Sequence, residues 1–188
     1  MSKTHQQHNN QVRIIGGIHR GRKISFPSAT GLRPTADSVR ERLFNWLGQD
    51  LTGKTVLDLF AGSGAMGFEA ASRHAQQVVM VEMNKQVASV LKTNQTHLQL
   101  SQSKIHCTDA FNFLHSCDQL FDVVFLDPPF GWLHWDQLLT LLTAYIQPQA
   151  RVYLESNALP ALPSGWQILK EGKSGKSRFA LLSYDHLY

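Results

Sequence analysis

Residues 55–67 read TVLDLFAGSGAMG: an apolar β-type run, an acid near its end, then glycines at 62, 64 and 67 opening a helical segment. Gly62 and Gly64 permit a tight turn with close backbone approach to a ligand, and Gly67 lets the new helix pack near the strand it has left. A strand that turns directly into a helix is the first half of a parallel crossover unit, and the chain repeats the pattern. Further β-type runs lie at 78–82 (VVMVE), 104–107 (KIHC), 121–126 (FDVVFL) and 150–155 (ARVYLE). Helical segments fall between them at 65–74, 84–98, 110–115 and 135–146, the last with leucines at i, i+3 and i+4. This alternation predicts an α/β domain with a mostly parallel sheet and right-handed crossovers. Two closing runs, 166–170 and 178–183, flank GKSGKS and predict a hairpin with Lys173 and Lys176 at its tip, for seven strands in all.

Upstream lies a different piece. VRIIGGIHRGRKISF (12–26) predicts a small hairpin, and SATGLRPTADSVRERLFNWL (28–47) predicts a helix opening near Thr35. Val39, Leu43, Phe44 and Leu47 would form its apolar stripe against the sheet. The expected organisation is a solvated tail at 1–11 and one domain at 12–188, made of the hairpin and helix (12–50) and the core (51–188).

Bulk properties agree with one globular domain: 188 residues, 43% hydrophobic and 17% charged. Such a chain removes roughly 70% of its unfolded surface from water, which excludes general disorder. No run approaches the roughly 18 apolar residues of a membrane span, and the start MSKTHQQHNNQ lacks a secretory signal's apolar block, so a cytoplasmic, membrane-free protein is expected. Cys107 and Cys117 lack metal-ligand spacing and are expected as buried free thiols. No metal is expected.

The charge is uneven. Residues 1–40 hold seven Lys/Arg against Asp37 alone, while residues 41–169 hold seven basic and eleven acidic groups, and the remainder is again basic. A basic beginning and a basic closing hairpin on an acidic body suggest a polyanion held across one face, with Arg13, Arg20, Arg22, Lys23, Lys173 and Lys176 as candidate RNA contacts; a merely solvated basic surface is the other reading.

The candidate chemistry sits at the carboxyl ends of the strands, where open α/β sheets bind ligands. A glycine pattern alone also fits a dinucleotide, and Glu82 stands where either a dinucleotide or a nucleoside cofactor would place an acid on its ribose hydroxyls. Asp58 separates the two: a carboxylate repels a pyrophosphate and attracts an ammonium or sulfonium group. Asp109, in CTDAF, can accept from an adenine amino group beside Ala110 and Phe111, or simply cap the next helix. FLDPPF then sets Asp127, Pro128, Pro129 and Phe130 at the sheet edge. The nitrogen of a base amino group is a poor nucleophile because its lone pair is delocalised into the ring. A carboxylate and the Pro128 carbonyl, each accepting one N–H, would draw that nitrogen toward tetrahedral geometry, and the proline pair fixes the backbone in advance. Phe130 offers a face for an unstacked base. The alternative is a proline-stiffened turn with a capping acid.

These residues carry a resemblance. An Asp-Pro-Pro-aromatic motif behind a glycine-rich loop resembles the amino-methyltransferases of DNA and RNA. RIIGG, RGRKISFP, LRPTADSVRERLFNWL, LDLFAGSGAMGFEAASR, VEMN and DPPF, in this order, resemble the RsmD family over about 13–184. The resemblance implies a Rossmann-like class I methyltransferase fold and transfer of a methyl group from S-adenosylmethionine to N2 of a guanine in 16S ribosomal RNA. It also implies roles: Asp127 and Pro128 on the target amino group, Phe130 on the base, and Asp58, Phe60, Gly62, Gly64, Glu82, Met83, Asp109, Ala110 and Asp127 lining the cofactor. Arg33, Pro34 and Thr35 match a signature expected near that cofactor. Trp132, His134 and Trp135 lie outside the pattern and either stack RNA or pack the helix start. The implied substrate is 16S rRNA or a partly assembled small subunit, met by a monomer. Open alternatives are an adenine-N6 methyltransferase of DNA or RNA, a nicotinamide-dependent dehydrogenase and a non-catalytic RNA-binding assembly factor.

Overall fold

The structure is a computed structural model that describes residues 10–28, 32 and 34–186. Its body is a seven-stranded sheet with helices on both faces, preceded by a two-stranded hairpin. In chain order the elements are β1 (Asn10–Arg13), β2 (Lys23–Phe26), α1 (Asp37–Leu47), β3 (Thr55–Asp58), α2 (Ala65–Ser72), β4 (Gln77–Val81) and α3 (Lys85–Leu98). They continue with β5 (Ser103–His106), α4 (Ala110–Ser116), β6 (Phe121–Leu126), α5 (Trp135–Leu142), β7 (Ile146–Ser156), β8 (Trp166–Ser174) and β9 (Ser177–Tyr184).

The sheet order is β5-β4-β3-β6-β7-β9-β8, with β3 to β7 parallel and β9 antiparallel to both neighbours. From β3 the chain moves outward to β4 and β5, then returns to β6 on the other side of β3. The crevice between the carboxyl ends of β3 and β6 is therefore a topological switch point, the place where crossovers diverge and leave room for a ligand.

Two apolar layers flank the sheet. One joins the hairpin, α1, α2 and α3 through residues such as Ile14, Ile24, Phe44, Phe68 and Leu91, and includes Phe125 and Tyr153 from the sheet. The other packs α4 and α5 through Phe113, Leu114, Leu138 and Leu142 onto Leu57, Val124, Leu126 and Leu154. Successive residues of β6 and β7 thus point to opposite layers, as the period of two in a strand requires.

The hairpin is tied down by buried polar groups. Arg40 and Glu69 are both fully buried and meet at 3.0 Å. Arg40 also donates to the carbonyls of Arg13 and Thr35 and to Asp37, while Glu69 accepts from the Ile15 backbone N–H and from Arg73. Charges withdrawn from water this way must be fully satisfied, and here the partners span the hairpin, α1 and α2. Asn94 of α3 adds a bond to each backbone group of Ser25.

Several expected bounds shift. β1 begins at Asn10, so Asn10 and Gln11 belong to the hairpin rather than to the tail, because they pair with Phe26 and Ser25; positions 1–9 of that tail lie outside the described residues. The helix expected to reach 146 ends at Leu142 in a 3-10 turn (Thr143–Tyr145), and β7 starts at Ile146. The closing strands are longer than expected, so that Ser174 pairs with Ser177 and Lys173 lies within β8 opposite Arg178, leaving Gly175 and Lys176 at the tip. The cysteines are free but not buried: β5 ends at His106, which leaves Cys107 exposed just beyond it, and Cys117 is half-buried at the end of α4. No helix among the described residues is long and apolar enough to cross a membrane.

Candidate active site

The carboxyl ends of β3, β4, β6 and β7 gather four acids, Asp58, Glu82, Asp127 and Glu155. Asp58 closes β3 and is buried, its Oδ2 accepting the Gly67 backbone N–H at 2.9 Å. Burial pushes its carboxyl up to about 7, Glu82 adding repulsion against the lowering effect of backbone N–H donors from Gly67 and Phe60. The turn that follows needs its glycines. Gly64 caps α2 at φ +81°, and a Cβ there would lie 2.6 Å from the Phe68 ring and 2.7 Å from Leu91. At Gly67 a Cβ would lie 2.6 Å from the Met80 sulfur, so only glycine lets α2 approach β4 this closely.

Glu82 follows β4 and bridges two turns: one oxygen accepts the Gly62 N–H at 3.0 Å and the other the Asn84 N–H at 2.8 Å. A carboxylate has about four lone-pair sites, so two remain for hydroxyl donors of a ligand. Met83 beside it is 74% exposed. Asp109 is the N-cap of α4, accepting the Asn112 N–H at 2.9 Å, and Ala110 behind it is buried. The capping reading of Asp109 is therefore met in the structure, and the residue is only half-buried, so a second partner can still reach it.

Asp127 stands just past β6, half-buried, and accepts a 3.1 Å hydrogen bond from the Thr35 hydroxyl. Thr35 is itself buried, and Leu32 reaches over Gly62, so these two residues meet Asp127 and the glycine turn on either side of the switch point. Arg33 lies outside the described residues. Burial, with Glu155 and then Asp58 as neighbouring negative charges, raises the Asp127 carboxyl well above the ordinary range, and the Thr35 bond opposes this only in part. Pro128 is buried. The Pro129 carbonyl accepts the Trp132 N–H at 3.2 Å, closing a turn that leaves Phe130 58% exposed.

Phe60, Phe111, Trp132 and His134 form an aromatic cluster beside this turn, with Phe111 and Trp132 stacked at 6.1 Å and Phe60 edge-on to Trp132 at 5.4 Å. Trp135 is buried at the start of α5, a packing role, whereas Trp132 is only half-buried and His134 is exposed.

Of the candidate RNA contacts, Arg20, Arg22, Lys23, Lys173 and Lys176 are exposed. Arg13 is exposed too, but it is paired with Asp37 at 2.8 Å. Arg40 contributes nothing to the basic surface, since it is buried and neutralised by Asp37 and Glu69.

Glu155, Tyr153 and Ser177 were not singled out in the sequence. Glu155, the last but one residue of the strand next to β6, is buried, with Oε2 accepting from the Tyr153 hydroxyl at 2.7 Å and Oε1 from Ser177 at 2.5 Å. The available signal was the acid ending VYLE, one strand after the acid ending FLD, but its significance depends on the register of the two strands.

The family model described as conserved hypothetical protein 95 matches residues 12–183. The chain is 38% identical over 186 residues to ribosomal RNA small subunit methyltransferase D of Escherichia coli, covering 96% of this chain and 94% of that one. It is 42% identical over 173 residues to the Haemophilus influenzae protein of the same name, covering 88% and 90%. The solved structure of yhhF from Escherichia coli superposes with a TM-score of 0.85 at 35% identity, over 94% of this chain and 99% of that one.

Proposed function

The chain belongs to the RsmD family, matched as conserved hypothetical protein 95, and on that premise we propose that it transfers a methyl group from S-adenosylmethionine to the N2 amino group of a guanine in 16S ribosomal RNA. The observation that carries this reading is the Thr35–Asp127 hydrogen bond at the switch point. It holds the acid of the DPPF motif at the sheet edge beside the glycine turn, with the basic hairpin attached to the same N-terminal segment.

The acids fit the cofactor. Four carboxylates at one sheet edge would repel the pyrophosphate of a nicotinamide dinucleotide, whereas they attract a cation, and Asp58 at a carboxyl near 7 regains its charge when a cation approaches. This disfavours the dehydrogenase reading. Gly62, Gly64, Glu82, Asp109 and Ala110 would hold the nucleoside, with Phe60 and Met83 at its border, and Asp58 would face its amino-acid end. When bound, S-adenosylmethionine supplies an electrophilic methyl group on a positively charged sulfur.

Asp127 accepts one N–H of the target amino group and the Pro128 carbonyl the other, aiming the nitrogen lone pair, while Phe130 stacks on the extruded base. These acceptors strengthen as positive charge grows on the nitrogen, so they bind the transition state better than the ground state. Arg20, Arg22, Lys23, Lys173 and Lys176 hold the RNA backbone. The substrate is 16S rRNA or a partly assembled small subunit, met by a cytoplasmic monomer. The test is mass mapping of modified nucleotides in small-subunit rRNA from cells with and without the protein. Loss of one N2-methylguanine is expected; an unchanged guanine inventory, or loss of an N6-methyladenine instead, overturns the assignment.

A further inference from the structure

Asp127 is not an isolated acid. Leu126 of β6 pairs with Leu154 of β7 in parallel register, so the next residues, Asp127 and Glu155, stand opposite one another at the sheet edge. Phe125 and Tyr153, two residues earlier in each strand, both face the layer formed by α1, α2 and α3, whereas Leu126 and Leu154 face the other layer. By the alternation along a strand Asp127 and Glu155 share the α1 face, where neighbouring side chains start roughly 5 Å apart. Thr35, just before α1, reaches Asp127 from that side.

Glu155 is buried. Its two oxygens take separate hydroxyl donors, Tyr153 and Ser177. Burial and the adjoining Glu155 raise the Tyr153 hydroxyl well above its usual range, so it stays a protonated donor. A buried carboxylate needs such donors, and once they are present its charge acts at short range on whatever lies beside it.

We propose that Glu155 is a positioning residue that acts through Asp127: its buried charge makes Asp127 the acceptor of the proton released when the base amino group is methylated. The inference rests on the methyltransferase reading. As the nitrogen lone pair forms the N–C bond, the C–S electron pair stays on sulfur and the positive charge passes to nitrogen. That charge leaves as one N–H proton, which moves to Asp127 Oδ along the hydrogen bond already made in the ground state, and from there to water on product release. The charged amino nitrogen is a strong acid, so any carboxylate can take its proton; a second negative charge behind Asp127 raises its proton affinity and lets the transfer begin earlier, as positive charge develops on the nitrogen. Among the described residues the titratable groups acting on Asp127 are Glu155 and Tyr153 from β7 and Asp58 from β3, with the Thr35 hydroxyl opposing them.

The test is Glu155→Gln, which keeps the size and an acceptor for Tyr153 and removes the charge. In cofactor-free protein, the Asp127 carboxyl signal, assigned by its loss in Asp127→Asn, is followed by carbon-13 NMR across pH. Its midpoint should move to lower pH in Glu155→Gln, and the acid limb of the kcat profile on small-subunit RNA should move the same way, with a severalfold lower plateau and less than a twofold change in KM for S-adenosylmethionine. If Glu155→Gln does not fold, Ser177→Ala serves: it removes one of the two hydroxyl donors that hold the Glu155 carboxyl and so weakens its influence on Asp127, and the Asp127 midpoint again falls, by less. A midpoint that stays put, or a rate reduced equally at every pH, overturns the proposal and leaves Glu155 as a structural acid. Failure of the wild-type chain to methylate any small-subunit RNA would overturn the underlying reading, and the two failures are separable because the titration needs neither cofactor nor substrate.

Discussion

Asp58 makes the folded protein, without ligand, less stable as pH rises, the reverse of the usual carboxylate effect. Its carboxyl stands at about 7 in the fold against 3.8 for an ordinary aspartate, so the native state binds the proton more tightly than the unfolded chain does. That stabilisation is complete below pH 3.8 and disappears as pH rises through about 7. Linkage with these two values makes the contribution about 3 kcal/mol at pH 5 and close to nothing at pH 8. His19 and His106, whose pKa values are lowered chiefly by burial, contribute in the opposite direction below 6.5, so the total curve mixes the two. The perturbation that addresses Asp58 is Asp58→Asn: groups that do not feel its charge, His19 and His106 among them, cancel in the difference, while Asp127, which does feel it, loses part of its own upward shift. Urea unfolding of both proteins at pH 5 and pH 8 should show the stability difference, variant minus wild type, moving in the variant's favour by about 2–3 kcal/mol across that interval. The same carboxylate faces a cationic ligand in the proposed complex, so S-adenosylmethionine should bind wild type more tightly as pH rises through about 7, by at most about tenfold per unit. A stability difference that is flat in pH would refute the buried, proton-holding Asp58 on which this reasoning stands.

Asp127→Ala should lower kcat by on the order of a hundredfold while calorimetry finds cofactor affinity nearly unchanged, because in the proposed mechanism it removes a transition-state acceptor rather than a cofactor anchor. Changing Arg20, Arg22 and Lys23 together to Gln should weaken RNA binding and reduce the slope of log K against log salt by up to about 3, with S-adenosylmethionine binding intact. Gly64→Ala places a Cβ against Phe68 and Leu91 at positive φ, and thermal unfolding should show a loss of about 2 kcal/mol or more together with a weaker cofactor site. Glu69→Gln leaves Arg40 and Arg73 short of a buried counter-charge; denaturant titration should read a loss of about 3–5 kcal/mol, felt first as detachment of the hairpin.

Much of the chain was legible as sequence. The repeated β-type runs and helical segments around TVLDLFAGSGAMG specify a parallel α/β sheet, and β6 coincides with the expected 121–126 run. The glycines at 62, 64 and 67 and the DPPF turn are local instructions: a positive φ, a close helix approach and a rigid bend are written in the residues that adopt them. Edges were less legible. Strand ends depend on what they pair with, which is why β1 starts at Asn10 and why Lys173 lies within β8 and not at the tip.

Tertiary structure alone decided which distant residues meet. Thr35 and Asp127 are 92 positions apart and become one hydrogen-bonded unit only because α1 is docked by the buried Arg40–Glu69 pair. Arg40 counts as a surface cation in any tally of charge and is a buried structural group in the fold. Glu155 acquires a bearing on Asp127 through strand register, and the proton affinities of Asp58 and Asp127 arise from burial and from one another. Backbone conformation follows from short-range sterics and so can be read from neighbouring residues. Electrostatics and desolvation act through space, and they exist only once the chain has brought remote groups together.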